Sequence, residues 1–278
     1  MERDYQEHFF DAGDGLRLFF RRWLVPQAKG LVAIIHGFAE HSGRYGHVVD
    51  FLCAQGWSVA TFDSRGHGQS GGRRAHVDHF QEYLDDTRSF MEEIKKAGFT
   101  GLPIMLGHSQ GALIAARYVQ MLPDAVAGLV LSSPFLGLAM KVPALKVAAG
   151  KVVSKIFPTL AMKTGLDPAL LSHDQEVVEK YAADPLVSNI ATARWFTEIQ
   201  QAQETAVQQA GGISCPMLML LAGNDRVVSS PISKQLFSGA ASADKILHEY
   251  EDYYHETMNE VGRDKVLADL GTWLESHR

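Results

Sequence analysis

The stretch "IMLGHSQGALIA", residues 104–115, sets Ser109 between Gly107 and Gly111 at the end of an apolar run, just where a helical pattern begins. A strand that turns at once into a helix needs small neighbours, and the sharp turn can hold one hydroxyl clear of the sheet as a nucleophile. The spacing alone is weak, because at average glycine usage roughly one chain of this length in ten carries G-x-S-x-G by chance. A lone serine also attacks poorly. It needs a base, an acid to orient that base, and donors for the oxyanion of the intermediate. Two downstream residues have the right types in the right places. Asp225 follows the apolar run "MLMLLAG" in a Gly-Asn-Asp turn, 116 residues after the serine, and His255 lies in "EYEDYYHE", 30 residues further on.

These positions presuppose strands that end where the chemistry is. Short β-type runs ("LRLFFRRWLV", "LVAIIH", "SVATFD", "PIMLGHS", "GLVLSS", "PMLMLLAG", "KILHEYE") alternate with helical patterns such as "FQEYLDDTRSFMEEIKKAG" and "QGALIAARYVQML". Alternation of this kind implies right-handed crossovers and a mostly parallel α/β sheet covered by helices on both faces. The segments before Ala28 read as an antiparallel edge. The alternation breaks once, between Pro134 and about Gln200, where helical patterns follow one another without a strand. The expected organisation is a core of residues 1–134 and 201–278 with a helical lid inserted at 135–200. Ligands of open parallel sheets sit beyond the carboxyl ends of the strands, and this insertion emerges at that edge.

Competing assignments can be weighed physically. In the α/β-hydrolase order the acid and the histidine follow the serine. Of the twelve histidines only three come after Asp225: His248 lies inside a strand pattern, His277 is at the terminus, and His255 alone sits on a strand-end loop. The end of the preceding strand reads "LSSPF" and offers no carboxylate. Asp63 ends a strand too, but it precedes the serine and opens a glycine-rich turn, which makes it structural. Asp225 has a plainer reading as a turn aspartate bonding its own backbone.

The oxyanion donors are expected to be the backbone N–H of Gln110 and that of Phe38, which the loop "HGFAEHSGRYG" presents after the tight His36-Gly37 turn. "HGFAEHSGRY", "FDSRGHGQSGG" and "GHSQG" resemble the three signature stretches of the monoacylglycerol lipase and lysophospholipase branch of the α/β-hydrolases, in the same order and over nearly the whole chain. The resemblance implies Ser109 as nucleophile, Asp225 and His255 as its partners, and Phe38 and Gln110 as oxyanion donors. It implies no cofactor, and an acyl-enzyme route for hydrolysing the carboxylic ester of a single-chain lipid, a monoacylglycerol first and a lysophospholipid as the alternative. Rivals of other classes are a cofactor-free perhydrolase or haloperoxidase and a non-catalytic binding protein. The chain departs from the family where a second glycine is common and Ala39 stands. A methyl there limits positive φ, so a stiffer or slightly shifted loop is expected.

Other motifs carry less. "GHGQSG" matches a dinucleotide fingerprint, but no helix opens on its third glycine and no acid ends a second strand ~20 residues on. It reads as a structural turn. "RAHVDHF" suggests metal ligation by His76, Asp78 and His79, yet Arg74 occupies the first ligand position, and loop or capping roles fit better. His108 is expected to pack beneath the elbow. Glu40 and Arg65 either brace two loops as an ion pair or stay solvated. A net charge of −6 over 278 residues gives no basic field for nucleic acid. The amino terminus is charged from its second residue and lacks an apolar signal core; together with two cysteines that read as buried thiols, this gives a cytoplasmic expectation.

The insertion is locally basic, with Lys141, Lys146, Lys151, Lys155 and Lys163 and no acid between Phe135 and Gly165. At helical spacing Leu145, Val152 and Ile156 share a stripe opposite Lys151 and Lys155. This stripe is expected either to gate or line a substrate channel, with transient contact to an anionic membrane surface, or to rest on the core with its lysines in water.

Overall fold

The computed structural model describes residues 4–140 and 144–278, with the backbone alone at 144–147. Strands β1 (Asp4–Asp11) and β2 (Arg17–Leu24) form a hairpin, followed by β3 (Leu31–Ile35), helix α1 (Gly46–Ala54), β4 (Ser58–Phe62), α2 (Gln81–Lys96), β5 (Ile104–His108), α3 (Gln110–Met121) and β6 (Gly128–Ser132). After the insertion come β9 (Met217–Ala222), α7 (Ser230–Gly239), β10 (Lys245–Tyr250) and α8 (Arg263–Ser276). The insertion itself contributes α4 (Ala144–Ile156), the short strands β7 (Ala161–Lys163) and β8 (Ile190–Thr192), α5 (Gln175–Ala183) and α6 (Ala193–Gln208).

Eight strands make one sheet in the order β1-β2-β4-β3-β5-β6-β9-β10. The first two pairings are antiparallel and the rest parallel. This is the expected α/β-hydrolase sheet with its antiparallel edge. Strands β3, β4, β5, β6 and β9 are buried at every residue, which is why their sequences run apolar instead of alternating. One face is covered by α1 and α8 through Val48, Leu52, Leu270 and Trp273. The other is covered by α2, α3, α6 and α7 through Phe90, Leu113, Ile199 and Leu236. Each such side chain contributes about 1.5–3 kcal/mol by leaving water.

The insertion differs from expectation in two respects. It contains a strand pair, β7 with β8, antiparallel from Ala161↔Thr192 to Lys163↔Ile190. Three-residue strands leave no periodic signal, and these partners are far apart in sequence. The expected edge at residue 200 falls inside α6, which runs unbroken to Gln208. Loops of the sheet hold the insertion down: Ser188 N–H donates to Ala39 O (2.8 Å) and Thr192 N–H to Ala75 O (3.1 Å), and His41 Nε2 meets Asp184 at 2.9 Å.

Candidate active site

Ser109 occupies the junction of β5 and α3 with φ 52° and ψ −116°, a region that costs a non-glycine residue of order 1–3 kcal/mol. Its backbone is pinned on both sides. The N–H donates to Ser132 O (3.0 Å), and the carbonyl accepts from Ala112, Leu113 and Phe135. The flanking glycines are there for close approach. A Cβ on Gly111 would overlap the carbonyl oxygens of Ile35 and His36, and one on Gly107 would strike the Gly111 carbonyl and the Ala112 backbone. The elbow thus presses helix against sheet and leaves the Ser109 hydroxyl at the carboxyl edge.

Three strand ends converge there. Ser109 Oγ is 3.0 Å from His255 Nε2, and His255 Nδ1 is 2.8 Å from Asp225 Oδ2. With Nδ1–H donating to the carboxylate, Nε2 is free to accept the serine proton. Asp225 also bonds its own turn: its other oxygen, Oδ1, accepts from Val227 N–H (2.8 Å) and Val228 N–H (2.9 Å), which fixes the carboxylate facing His255. Burial alone would push the His255 imidazole down, but the Asp225 carboxylate, aided by Glu256 and Glu40, holds it above its ordinary value. Burial would raise the Asp225 carboxyl, and His255 with the two backbone N–H donors holds it below the usual range. His108 lies beneath, bonded to Ser132 Oγ (3.2 Å) with its ring 5.0 Å from that of His255. Burial, and then the neighbouring His255, push it down to about 4, so it is neutral packing at pH 7.

The N–H groups of Phe38 and Gln110 have no protein acceptor among the described residues, as oxyanion donors require. Ala39 takes φ +68° although it carries a methyl, so the loop keeps the glycine-like backbone in spite of the substitution. A ligand to that loop went unread in the sequence. Glu40 Oε1 accepts from Gly37 N–H and from Tyr45 OH, both at 2.7 Å, while Arg44 bridges Glu40 to Glu256. The expected choice for Glu40, pairing with Arg65 or solvation, is therefore corrected on both counts. Glu40 is buried with Arg44, four residues on, and Arg65 is buried against Asp86, Glu82 and Asp14. Glu40 precedes the short 3-10 turn that carries Arg44, so no helical spacing marked the pair in the sequence.

Asp63 accepts from Ser42 and from Gln69 N–H, bracing two loops. "GHGQSG" forms a turn, with Gly66 and Gly68 at positive φ and no helix following. His76 bonds Thr192 Oγ1 (2.9 Å) and lies 3.3 Å from Asp78, and no metal-ligating cluster occurs among the described residues. Cys53 and Cys215 are buried, and no disulfide occurs among the described residues.

A cavity of about 520 Å³ opens over Ser109 and His255, walled by Phe38 from the core and by Phe135, Met162, Leu166, Leu171, Trp195 and Phe196 from the insertion. A neighbouring groove of about 560 Å³ behind Phe135 and Phe196 reaches none of the three converging residues. Val152 and Ile156 do not line the cavity. They are 56% and 61% exposed, so these two residues neither border the cavity nor rest on the core; Leu145 lies outside the described side chains. Spacing identified an apolar face but not what covers it. Trp195 and Phe196, by contrast, do line the cavity, and no motif in the sequence marks them.

The sequence matches the family described as serine aminopeptidase, S33, over residues 26–262. It is 34% identical to a monoacylglycerol lipase of Mycolicibacterium smegmatis across 98% of this chain and 97% of that one. It is 33% identical to a phospholipase of Bacillus subtilis across 92% and 98%. Among solved structures, a monoacylglycerol lipase of Paleococcus ferrophilus superposes with a TM-score of 0.87 at 34% identity, covering 94% of this chain and 99% of the other. Sheet order, strained elbow and full-length likeness agree, and the chain belongs to the monoacylglycerol lipase and lysophospholipase branch of the α/β-hydrolase superfamily.

Proposed function

We propose that the protein hydrolyses carboxylic esters of single-chain lipids, monoacylglycerols first, with Ser109, His255 and Asp225 as the catalytic set. The observation that carries this reading is the 3.0 Å and 2.8 Å relay from Ser109 through His255 to Asp225 at the floor of the apolar cavity. Ser109 Oγ attacks the ester carbonyl carbon as His255 Nε2 takes its proton. The oxyanion accepts from the Phe38 and Gln110 N–H groups. Collapse breaks the ester bond, and His255 returns the proton to the leaving glycerol oxygen. Water, deprotonated by the same imidazole, then releases the fatty acid from the acyl-serine. Residues 135–200 serve as the lid in this reading, and the apolar cavity walls hold the acyl chain.

A lysophospholipid is the second reading, supported by the similarity to a phospholipase. The two differ only in the head group. Turnover of monoacylglycerols, lysophospholipids and short aryl esters, side by side with fluorophosphonate labelling of Ser109, separates these substrates from each other and an enzyme from a binder. No labelling and no ester turnover would remove the reading.

We also propose a peripheral, cytoplasmic placement. No helix among the described residues is long and apolar enough to cross a membrane. The apolar side chains of Met140, Val152, Ile156, Phe157 and Met162 are exposed on the insertion, and Lys151, Lys155 and Lys163 are exposed on the same segments, a combination that suits brief contact with an anionic bilayer.

A further inference from the structure

We infer that Trp195 is a positioning residue through which the insertion sets both oxyanion donors. The inference rests on the catalytic reading above and adds a residue to it. Trp195 stands in the first turn of α6, 4% exposed, with its backbone N–H capped by Thr192 Oγ1. Its indole Nε1–H donates to the side-chain oxygen of Gln110 at 2.9 Å, and Gln110 is itself fully buried. The indole face lies on the Phe38 ring, with centroids 4.1 Å apart and planes 32° from parallel. Phe38 lies in the loop after β3 and Gln110 opens α3 after β5, yet one side chain from a third element holds both.

A packing residue would need only to fill space. This one makes a directed hydrogen bond to one donor residue and a ring contact to the other, and it also lines the cavity. Its backbone neighbours tie it to the insertion: Ala193 N–H donates to Leu160 O and Arg194 N–H to Pro158 O, both at 3.0 Å, just before β7. An acyl chain that fills the cavity therefore presses on the indole, and the indole on the two donor residues. Oxyanion donors act only when they are aimed at the developing charge, so occupancy of the cavity is expected to raise kcat as well as affinity.

The decisive variant is Trp195→Phe, which keeps a ring on Phe38 and removes the indole N–H. On a soluble short aryl ester, with active sites counted by fluorophosphonate titration, we expect kcat to fall about tenfold, part of the 10²–10³ that a lost donor costs, with KM within about twofold. Inhibition by a short alkyl boronic acid, which forms a tetrahedral adduct on the serine with oxygen in the oxyanion position, should weaken by a similar factor. Gln110→Leu should show the same loss, and the double variant should be no worse than the worse single one, because both remove one bond. Gln110→Leu carries the test by itself should Trp195→Phe fail to fold. Unchanged kcat and boronate affinity, or losses that multiply in the double variant, would overturn the inference while leaving the catalytic reading intact. A wild type that resists labelling and hydrolyses no ester would overturn both.

Discussion

His255 is pulled in two directions: burial favours its neutral form, and the Asp225 carboxylate at 2.8 Å favours the charged one and prevails. General-base attack needs the neutral imidazole, so kcat/KM on a short ester should rise with pH about a midpoint above the ordinary imidazole value of ~6.5. A midpoint below that value, or a flat profile from about pH 5 to 8, would exclude His255 as the base. Ser109→Ala and His255→Ala should each lower kcat by about three or more orders of magnitude, and the double variant should be little worse, because the residues act as a unit. Single-turnover assays on purified variants measure this directly. Ala39 teaches a related lesson. Its φ of +68° shows that a loop bonded at Gly37 and Ala39 can impose a backbone that the side chain disfavours.

The strand-turn-helix around Ser109 works because helix and sheet backbones touch at Gly107 and Gly111. Gly111→Ala places a methyl against two carbonyl oxygens that cannot move without shifting β3. Denaturant unfolding should show a loss of more than about 3 kcal/mol, in the range of severe core overpacking. The insertion makes different demands. Leu166 is half-buried and lines the cavity, so Leu166→Trp should lower turnover of a long-chain glyceride at least about tenfold more than that of a short ester. Equal losses would mean that the residue packs the fold and does not border the acyl path. On α4, Lys151 and Lys155 face water. Neutralising Lys151 and Lys155 to Gln should weaken binding to anionic vesicles by about 2 kcal/mol, roughly 30-fold, at about 1 kcal/mol per lysine. The difference should shrink as salt rises. Equal co-sedimentation of the two proteins at low salt would remove the membrane proposal.

At the scale of the molecule, the site sits in a shell of buried ionisable groups that governs stability as well as chemistry. Burial, reinforced by His255 for one and His36 for the other, pushes His108 down to about 4 and His67 to about 3. Their folded values lie below the unfolded ~6.5, so the unfolded chain binds more protons as pH falls, and stability present above ~6.5 is lost below it. At pH 5 the loss is about 2 kcal/mol for each residue. His255 has the opposite sign: its contribution is complete below ~6.5 and is lost as pH rises through its raised folded value, so it adds nothing further on the acid side. Urea unfolding at pH 7 and pH 5 should therefore show a clear drop in stability, and equal midpoints would contradict the neutral state of these histidines.

Outside the insertion the sequence by itself determined the order of strands and helices, because apolar period is local and survives tertiary context, and it determined which residues stand at strand ends, because Gly, Asn, Asp and Ser mark those turns. That Ser109, Asp225 and His255 stand at strand ends was legible on that account, and the fold brings those ends to one edge, where the three meet within hydrogen-bond distance. Tertiary structure decided what periodicity cannot express. It chose Arg44 over Arg65 as the partner of Glu40, paired β7 with β8 across most of the insertion, left Val152 and Ile156 in water, and laid Trp195 on Phe38 and Gln110. Each of these depends on where side chains from separate elements point once packed. A one-dimensional pattern shows that a face is apolar or a group charged, while its partner is fixed only when the sheet closes and the available directions become few.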